Sequence, residues 1–295
     1  MKLGDLCHAA PCFSTAASFE IPSPGATSAQ FKFDEKEGRA YYAVLLRNHD
    51  ISNAPDLNPR VAVVGLSPGG NQIDEFRNVY SVKKNYVAAS IDGAFAGLHQ
   101  DIIAMFKGLG IAEKFDLRFP NPNSIARDPD IFGTSLVACA SLWSDGSSDD
   151  FNLADFEPAR RCMTMRFVKE ILNPAFTRLS HVFILGIEGW KAIQTVKMRE
   201  DITVLQHLQD HGKTVLMLPH PRKQNQAYVK LASLPSNAMP KLEKYLEDRW
   251  TLYLKQSTKH GKQKKSESEY KSSRKTIWVA VDTLRKEIAK IDHSQ

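Results

Sequence analysis

The stretch VAVVGLSPGGNQ, residues 61–72, decides the fold class of this chain. Four small or β-branched apolar residues lead straight into a turn that contains Gly65, Ser67, Pro68 and Gly69. This pattern is typical of a buried parallel strand that ends in a tight loop. Ligands bind just beyond the carboxyl ends of such strands in open α/β sheets, so the loop is the first candidate for a functional site. Taken alone, the loop is more simply interpreted as a plain strand-to-helix connection.

Three further apolar runs follow the same pattern, and helical patterns separate them. The runs cover residues 131–139, 181–185 and 214–218, and the helical patterns cover 98–109, 157–172 and 189–196. Strands that alternate with helices predict an α/β fold, here a three-layer α/β/α arrangement with a central four-stranded parallel sheet. The strands would end in GLSPGGNQ, ACASLWSDG, GIEGW and LPHPRKQN, and these four loops would share one edge of the sheet.

The remaining residues are predicted to add an irregular N-terminal extension and a basic C-terminal segment. Residues 1–57 are punctuated by prolines and contain one predicted helix near 37–48, and the α/β domain is predicted over 58–254. Residues 255–275 carry many lysines and almost no apolar side chains, so they are predicted to be a mobile linker. Apolar residues at helical spacing predict a C-terminal helix within 276–295.

Composition narrows the classes of protein that the chain can be. Of its 295 residues, 42% are hydrophobic, and no apolar run approaches the roughly 18 residues of a membrane helix. A cytoplasmic protein without a membrane partner is therefore predicted. The formal charge of +6 at pH 7 favours a polyanionic partner. Four cysteines in such a chain argue against a disulfide framework but leave metal binding open.

Taken in order, the loops and strands resemble the uracil-DNA glycosylase superfamily. The matching segments are GLSPG at 65–69, GAFAG at 93–97, TSLVAC at 134–139, VFILG at 182–186 and LPHP at 218–221. Members of the superfamily open with GxxPG-type loops, carry a GxPFxG segment and close with an HPS or HPR loop. The resemblance covers residues 61–222, and it implies an enzyme that hydrolyses the bond between a base and its deoxyribose after the nucleotide has been flipped out of the DNA stack.

The resemblance implies roles for residues on these loops. His220 would donate to the departing base as negative charge accumulates on it, and Phe95 would stack on the flipped base. Two further sets of contacts are implied: to the base from Gly65, Ser67, Pro68 and Ser135, and to DNA phosphates from Gly69, Arg222 and Lys223. From the residues alone, His220 could instead cap a strand end, and Phe95 could be an ordinary core side chain.

Two positions depart from the superfamily pattern and change the expected substrate. Ser67 stands where many members have an Asp or Asn that orients water, and Ser135 stands where an asparagine reads the uracil edge. By proximity, the water-orienting role is predicted for Asn71 and Asp74. The other candidates for that role are Glu75, Asp92 and Asp145. Because both serines are smaller than the residues they replace, we expect a pocket for a modified pyrimidine such as glucosylated hydroxymethylcytosine in phage DNA, and a role in antiviral defence.

Three other functions stay open on sequence grounds. The chain could be an ordinary uracil-DNA glycosylase of base-excision repair, or a DNA-binding or sensing protein that keeps the fold without catalysis. It could also be a nucleotide or sugar-phosphate enzyme that holds phosphate with GLSPGG. That third alternative is weaker, because the loop lacks both the GxGxxG spacing and the Lys-Ser/Thr pair of a P-loop.

The order of the four cysteines resembles that of thermostable superfamily members, which hold a [4Fe–4S] cluster. Cys7 and Cys12 precede the fold, Cys139 ends the second predicted strand, and Cys162 lies on the helix after it. Their spacings are wider than usual, and in relatives without a cluster the last two cysteines are simply buried. The resemblance thus allows a structural cluster, while the chemistry itself would require no cofactor.

Overall fold

The computed structural model describes residues 2–3, 18–36, 39–49, 56–143, 155–221, 225–260 and 266–291. The chain divides into two compact units, each made of two segments. Unit 1 comprises Met1–Gln100 and Phe119–His220, and unit 2 comprises Asp101–Arg118 and Pro221–Gln295. Within the described residues, no helix is both long and apolar enough to cross a lipid bilayer.

Unit 1 contains two sheets. Its strands are β1 (Lys32–Lys36), β2 (Arg39–Leu45), β3 (Val61–Gly65), β4 (Ile131–Ser135), β5 (Cys139–Trp143), β6 (His181–Leu185) and β7 (Thr214–Leu218). The order β4-β3-β6-β7 forms a four-stranded parallel sheet, and the order β1-β2-β5 forms a three-stranded antiparallel sheet. Every residue of β3, β4 and β6 is buried, as expected for strands covered on both faces. The predicted central sheet of four parallel strands is therefore confirmed, with helices on both of its sides.

Helices connect the strands and make up much of unit 2. In chain order they are α1 (Ser28–Phe31), α2 (Gly70–Lys83), α3 (Tyr86–Gly93), α4 (His99–Gly108), α5 (Ile111–Lys114), α6 (Glu157–Arg161), a π-helix (Cys162–Phe167), α7 (Val168–Ile171), α8 (Ile187–Thr195), α9 (Val204–Asp210), α10 (Gln226–Ala232), a 3₁₀ turn (Ser236–Ala238), α11 (Leu242–His260) and α12 (Glu267–Ala289). The helices predicted at 98–109, 157–172 and 189–196 correspond to α4, to the run from α6 to α7, and to α8.

The N-terminal segment differs from its prediction. Residues 39–45, which were predicted to be helical, form β2, the middle strand of the antiparallel sheet. Six of the seven β2 side chains are buried, and the aromatic and β-branched residues Tyr41, Tyr42 and Val44 favour a strand that is paired on both sides. The predicted irregular extension over 1–57 is therefore wrong in part, because it supplies two strands.

The second predicted strand is divided between the two sheets. The apolar run at 131–139 was expected to form one strand, but β4 ends at Ser135 and β5 begins at Cys139. Between them, the Leu136 amide donates to the Gly65 carbonyl at 2.8 Å. This hydrogen bond turns the chain across the end of β3, so one continuous apolar run serves both sheets.

The C-terminal part of the chain is more helical than its composition predicts. The mobile linker predicted over 255–275 is wrong for its described residues, because α11 extends into it and α12 begins within it; residues 261–265 lie outside the described chain. Ser266 caps α12, since its hydroxyl accepts from the Glu269 amide while the Glu269 carboxylate accepts from the Ser266 amide. This capping box starts the last helix before residue 276, where the prediction placed it.

Candidate active site

The described residues that directly follow β3, β4, β6 and β7 lie at one edge of the parallel sheet in unit 1. The second predicted loop continues as β5, and parts of the second and fourth loops lie outside the described residues. Gly65 pairs with Ser135 at the ends of β3 and β4. Gly186 directly follows β6, and its amide donates to the carbonyl of Leu218, the last residue of β7, at 2.8 Å. The residues after these strands therefore lie side by side at the carboxyl edge, where ligands bind in open α/β sheets.

Phe95 lies against the ends of β3 and β4. Its backbone φ of 58° is left-handed, a conformation that few non-glycine residues adopt. A Cβ atom placed on Gly65 would lie 3.9 Å from the Phe95 ring and 3.3 Å from the Ser135 hydroxyl oxygen. A Cβ atom on Gly133, in the middle of β4, would lie only 2.6 Å from the ring. Gly133 thus provides the space for this buried ring, and Phe95, Gly65 and Ser135 form one cluster.

The cluster makes Gly133→Ala a sharp test of the position of Phe95. The added methyl group would overlap the ring and crowd the Asn48 side chain at 3.0 Å, so we expect the ring to be displaced and the protein to be destabilised by about 1–3 kcal/mol. Urea unfolding of the variant measures this cost. Gly70→Ala is the matched control for stability, because a Cβ atom on Gly70 would meet nothing within 4 Å. Equal stability of the two variants would show that Phe95 does not pack against Gly133.

His220 lies over the end of β6. Pro219 and Pro221 flank it in the loop after β7. A Cβ atom on Gly186 would lie 2.9 Å from the His220 Cβ and 3.6 Å from its ring carbon Cδ2. The close approach means that only glycine at this position leaves the half-buried imidazole its space. The predicted donor to the base therefore shares a sheet edge with Phe95.

Ser67, which is half-buried in the first loop, contacts Ser141, a residue that the sequence did not mark as part of the site. Its Oγ lies 3.4 Å from the Ser141 Oγ in β5. Arg39 in β2 is 1% exposed, and its guanidinium donates to the Ser141 carbonyl at 3.1 Å and to the Ser141 Oγ at 3.2 Å. Burial lowers the pKa of Arg39 to about 10, which still leaves it charged at neutral pH. Because Ser141 accepts from Arg39, its hydroxyl proton is available to Ser67, and in that arrangement the Ser67 hydroxyl keeps its own proton for another acceptor.

A second buried guanidinium, also missed from the sequence, holds the end of β4. Arg166 in the π-helix is 1% exposed and donates to the carbonyl oxygens of Ser135 and Leu136. It also pairs with Glu170, and the other carboxylate oxygen of Glu170 lies 2.6 Å from Arg47. The turn that follows Ser135 is thus anchored by a buried ionic network. Single-turn π-helices are frequent at functional sites, which fits this location.

The residues predicted to orient water lie on α2. Asn71 and Asp74 are both exposed there, and Asp74 pairs with Arg77 at 3.5 Å. The remaining candidates are Glu75, which is exposed, Asp92, which pairs with Lys83 and Arg127, and Asp145, which lies outside the described residues. The water-orienting role stays a prediction, and Asn71 fits it better than Asp74, whose carboxylate is held by a cation.

The first loop leads into the N-terminus of α2, where Gly69 is the capping residue. The amides of a first helical turn and the helix dipole favour an anion at such a position. A Cβ atom on Gly69 would meet nothing within 4 Å, so a phosphate could approach this backbone closely, while the preceding Pro68 is buried. The other predicted phosphate contacts, Arg222 and Lys223, lie outside the described residues.

Only two of the four cysteines that were predicted to hold a cluster lie among the described residues. Cys7 and Cys12 lie outside the described residues, whereas Cys139 and Cys162 are buried and not joined in a disulfide. The Cys162 sulfur accepts from the Ala138 amide at 3.4 Å and from Arg166 Nε at 3.3 Å. Among the described residues, no group of three or more His, Cys, Asp or Glu side chains could hold a metal ion. The iron–sulfur cluster therefore stays a prediction.

The fold and the site together define a class of protein rather than a family. The class is an α/β protein whose parallel sheet gathers an aromatic ring, two serine hydroxyls and a histidine at its carboxyl edge. The chain matches no protein-family model and no curated protein sequence. Since a shared fold does not define a function, the function has to be inferred from the site itself.

Proposed function

We propose that this protein is a DNA glycosylase that removes a flipped pyrimidine from DNA and leaves an abasic site. The observation that carries the proposal is the shared sheet edge of Phe95 and His220. In this proposal the Phe95 ring, which is 4% exposed, stacks on the planar base once the base has entered the site, and the imidazole donates a hydrogen bond to that base as it departs. The sequence resemblance to the uracil-DNA glycosylase superfamily supports the same reaction.

In the proposed reaction, water attacks C1′ of the deoxyribose as the bond from C1′ to the pyrimidine nitrogen breaks. The electron pair of that bond moves onto the base, and the water loses a proton to solvent once its oxygen is bonded to C1′. His220 donates a hydrogen bond to the base oxygen that gains negative charge, a role worth about 10²–10³ in rate. Asn71, in the first turn of α2, is proposed to orient the water.

We further propose that the base is a modified pyrimidine. Ser67 and Ser135 are short, and neither offers the two-point reading of a base edge that rejects other bases. The Ser67 hydroxyl, supported from behind by Ser141 and Arg39, suits a base that carries additional oxygen acceptors. Glucosylated hydroxymethylcytosine is such a base, and its removal from phage DNA would serve antiviral defence in the cytoplasm.

Incubation of the protein with a panel of DNAs tests both parts of the proposal. The panel contains uracil, hydroxymethylcytosine and glucosylated hydroxymethylcytosine in one sequence context, and abasic sites are scored by alkaline strand cleavage. We expect strand cleavage with the glucosylated DNA and little or none with uracil. Efficient release of uracil alone would instead favour an ordinary repair enzyme, and release of no base would contradict the enzymatic function.

A DNA-binding or sensing protein without catalysis is the second candidate. The observation that favours it is the absence of a carboxylate at Ser67, together with the engagement of Asp74 by Arg77. Such a protein would bind modified DNA with measurable affinity, but neither the wild type nor any site variant would produce abasic sites. Binding and base release measured on the same DNA therefore separate the two functions.

A further inference from the structure

Unit 2 contains a cavity that the proposed reaction does not use. Its volume is about 290 Å³. The side chains that line it come from α10 and α11 and from the segment between these helices: Lys230, Leu231, Leu234, Pro240, Tyr245, Asp248, Arg249 and Leu252. On α11 the lining residues recur every three or four positions, so one face of this helix forms a wall of the cavity.

A buried tyrosine in this wall has an unsatisfied hydroxyl. Tyr245 is 3% exposed, and the Arg249 guanidinium is near enough to its hydroxyl to lower its pKa as a donor, but in a geometry that falls short of a full hydrogen bond; no other described residue bonds to this hydroxyl. Burial of a hydroxyl without a full hydrogen bond destabilises the folded state. A side chain that carries such a cost without a structural benefit is suited to a ligand that accepts its hydrogen bond.

Two cations lie close to this tyrosine, and a third lines the same cavity. The Arg249 guanidinium lies over the Tyr245 ring at 5.6 Å, and Arg274 of α12 has a buried Nε that makes no hydrogen bond within the described residues. Burial raises the pKa of Tyr245, while Arg249 and Arg274 act in the opposite direction, so the field of both arginines reaches its hydroxyl. Lys230 lines the same cavity, and none of the three cations forms an ion pair with a described carboxylate. The one lining carboxylate, Asp248, is exposed.

We propose that this cavity binds a phosphate group, with Tyr245 and Arg249 as donors and Arg274 and Lys230 supplying positive charge. Hydroxyl and guanidinium donors suit an anionic oxygen acceptor, because hydrogen bonds to ionised partners are the stronger ones. The proposal concerns unit 2 alone and does not depend on the glycosylase reaction of unit 1.

Aromatic side chains on the same two helices indicate which source of phosphate the cavity takes. Tyr253 of α11 stacks on Tyr270 of α12 with ring centroids 4.4 Å apart, and Trp250 stacks on Tyr253 at 5.5 Å. Trp250 and Tyr253 are half-exposed, and Arg274 lies over the Tyr270 ring at 4.9 Å. Exposed aromatic rings beside arginines form the usual platform for the bases of a single strand. We therefore assign the phosphate to a nucleic-acid backbone rather than to a free anion.

Fluorescence anisotropy with a labelled, unmodified single-stranded 20-mer tests the proposal on the full chain. We expect the double variant Arg249→Gln, Arg274→Gln to bind at least tenfold more weakly, and its plot of log K against log salt to be shallower by about 1–1.5. Lys244→Gln is the matched control, because it removes one charge from an exposed position on α11 outside the cavity. Equal loss in the double variant and the control would overturn the proposal. Displacement of the 20-mer by millimolar inorganic phosphate would instead identify a free anion as the ligand.

Tyr245→Phe separates a ligand-binding role of the hydroxyl, which affects affinity, from a structural role, which affects stability. Because the hydroxyl makes no acceptable hydrogen bond to any described residue, we expect the variant to be as stable as the wild type or more stable in thermal unfolding. Affinity for the 20-mer should nevertheless fall by about tenfold, since a hydrogen bond to phosphate is lost. Reduced stability with unchanged affinity would show that the hydroxyl has a structural partner, and would contradict the site.

Discussion

His220→Ala is expected to reduce the rate of base release by about 10²–10³ without a comparable loss of DNA binding. The imidazole lies over Gly186 at the carboxyl edge of the sheet, where it would donate to the base oxygen as the glycosidic bond breaks. This interaction strengthens only as negative charge develops on the base, so its removal lowers kcat rather than raising KM. Single-turnover cleavage of the DNA that the wild type prefers measures the effect directly.

Substrates with different leaving bases show whether His220 acts on the departing base. A pyrimidine with an electron-withdrawing substituent leaves as a more stable anion and needs less help, so the His220→Ala variant should lose less activity on it. His211→Ala is the matched control, because His211 is an exposed residue at the end of α9. An equal loss on good and poor leaving groups would indicate a structural role for His220. Unchanged activity would remove His220 from the mechanism.

The parallel sheet could be predicted from the sequence because its strands are continuous apolar runs. Such runs mark largely buried strands. The strands β6 and β7 have the predicted bounds, and β3 begins at Val61, where the opening stretch predicts a strand. β2 was missed because a strand buried on nearly every side lacks the alternation that distinguishes a strand from a buried helix. The start of α12 was missed because the lysine-rich composition of this segment predicts a mobile linker, although Ser266 forms a capping box there.

The site residues that could be predicted lie in short segments that resemble superfamily motifs. Ser135 ends β4 and His220 follows β7, so their common edge follows from the parallel order of the strands, whereas Phe95 lies between α3 and α4 and was identified from GAFAG at 93–97 alone. Arg39 and Arg166 could not be found in this way, because charged residues are rarely buried and no sequence pattern marks the exceptions. Arg39 contacts Ser141 next to Ser67, and Arg166 holds the Ser135 carbonyl. The residues that were hardest to predict are therefore those that hold the two serines in place.

Arg166→Met is expected to lower the free energy of unfolding by about 3–5 kcal/mol, the largest loss of stability among the variants discussed. Methionine fits the apolar part of the space but leaves the Ser135 and Leu136 carbonyls without their donor, and it removes one partner of Glu170. The remaining contact of Glu170 with Arg47 at 2.6 Å limits the cost, because the carboxylate keeps one cation. Urea unfolding followed by fluorescence and circular dichroism gives the change in midpoint, and the two probes together test whether the transition is two-state.

Two further variants separate the causes of that loss. Arg166→Lys retains the charge but not the planar fork that reaches several acceptors at once, so an intermediate loss is expected. Arg161→Met removes a charge from the adjoining helix α6, where the side chain is exposed and 4.0 Å from Glu157, so a loss within about 0.5 kcal/mol is expected. If Arg166→Met were as stable as Arg161→Met, the buried network would not hold the end of β4. If Arg166→Lys matched the wild type, charge alone would suffice and the fork of hydrogen bonds to Ser135 and Leu136 would contribute nothing.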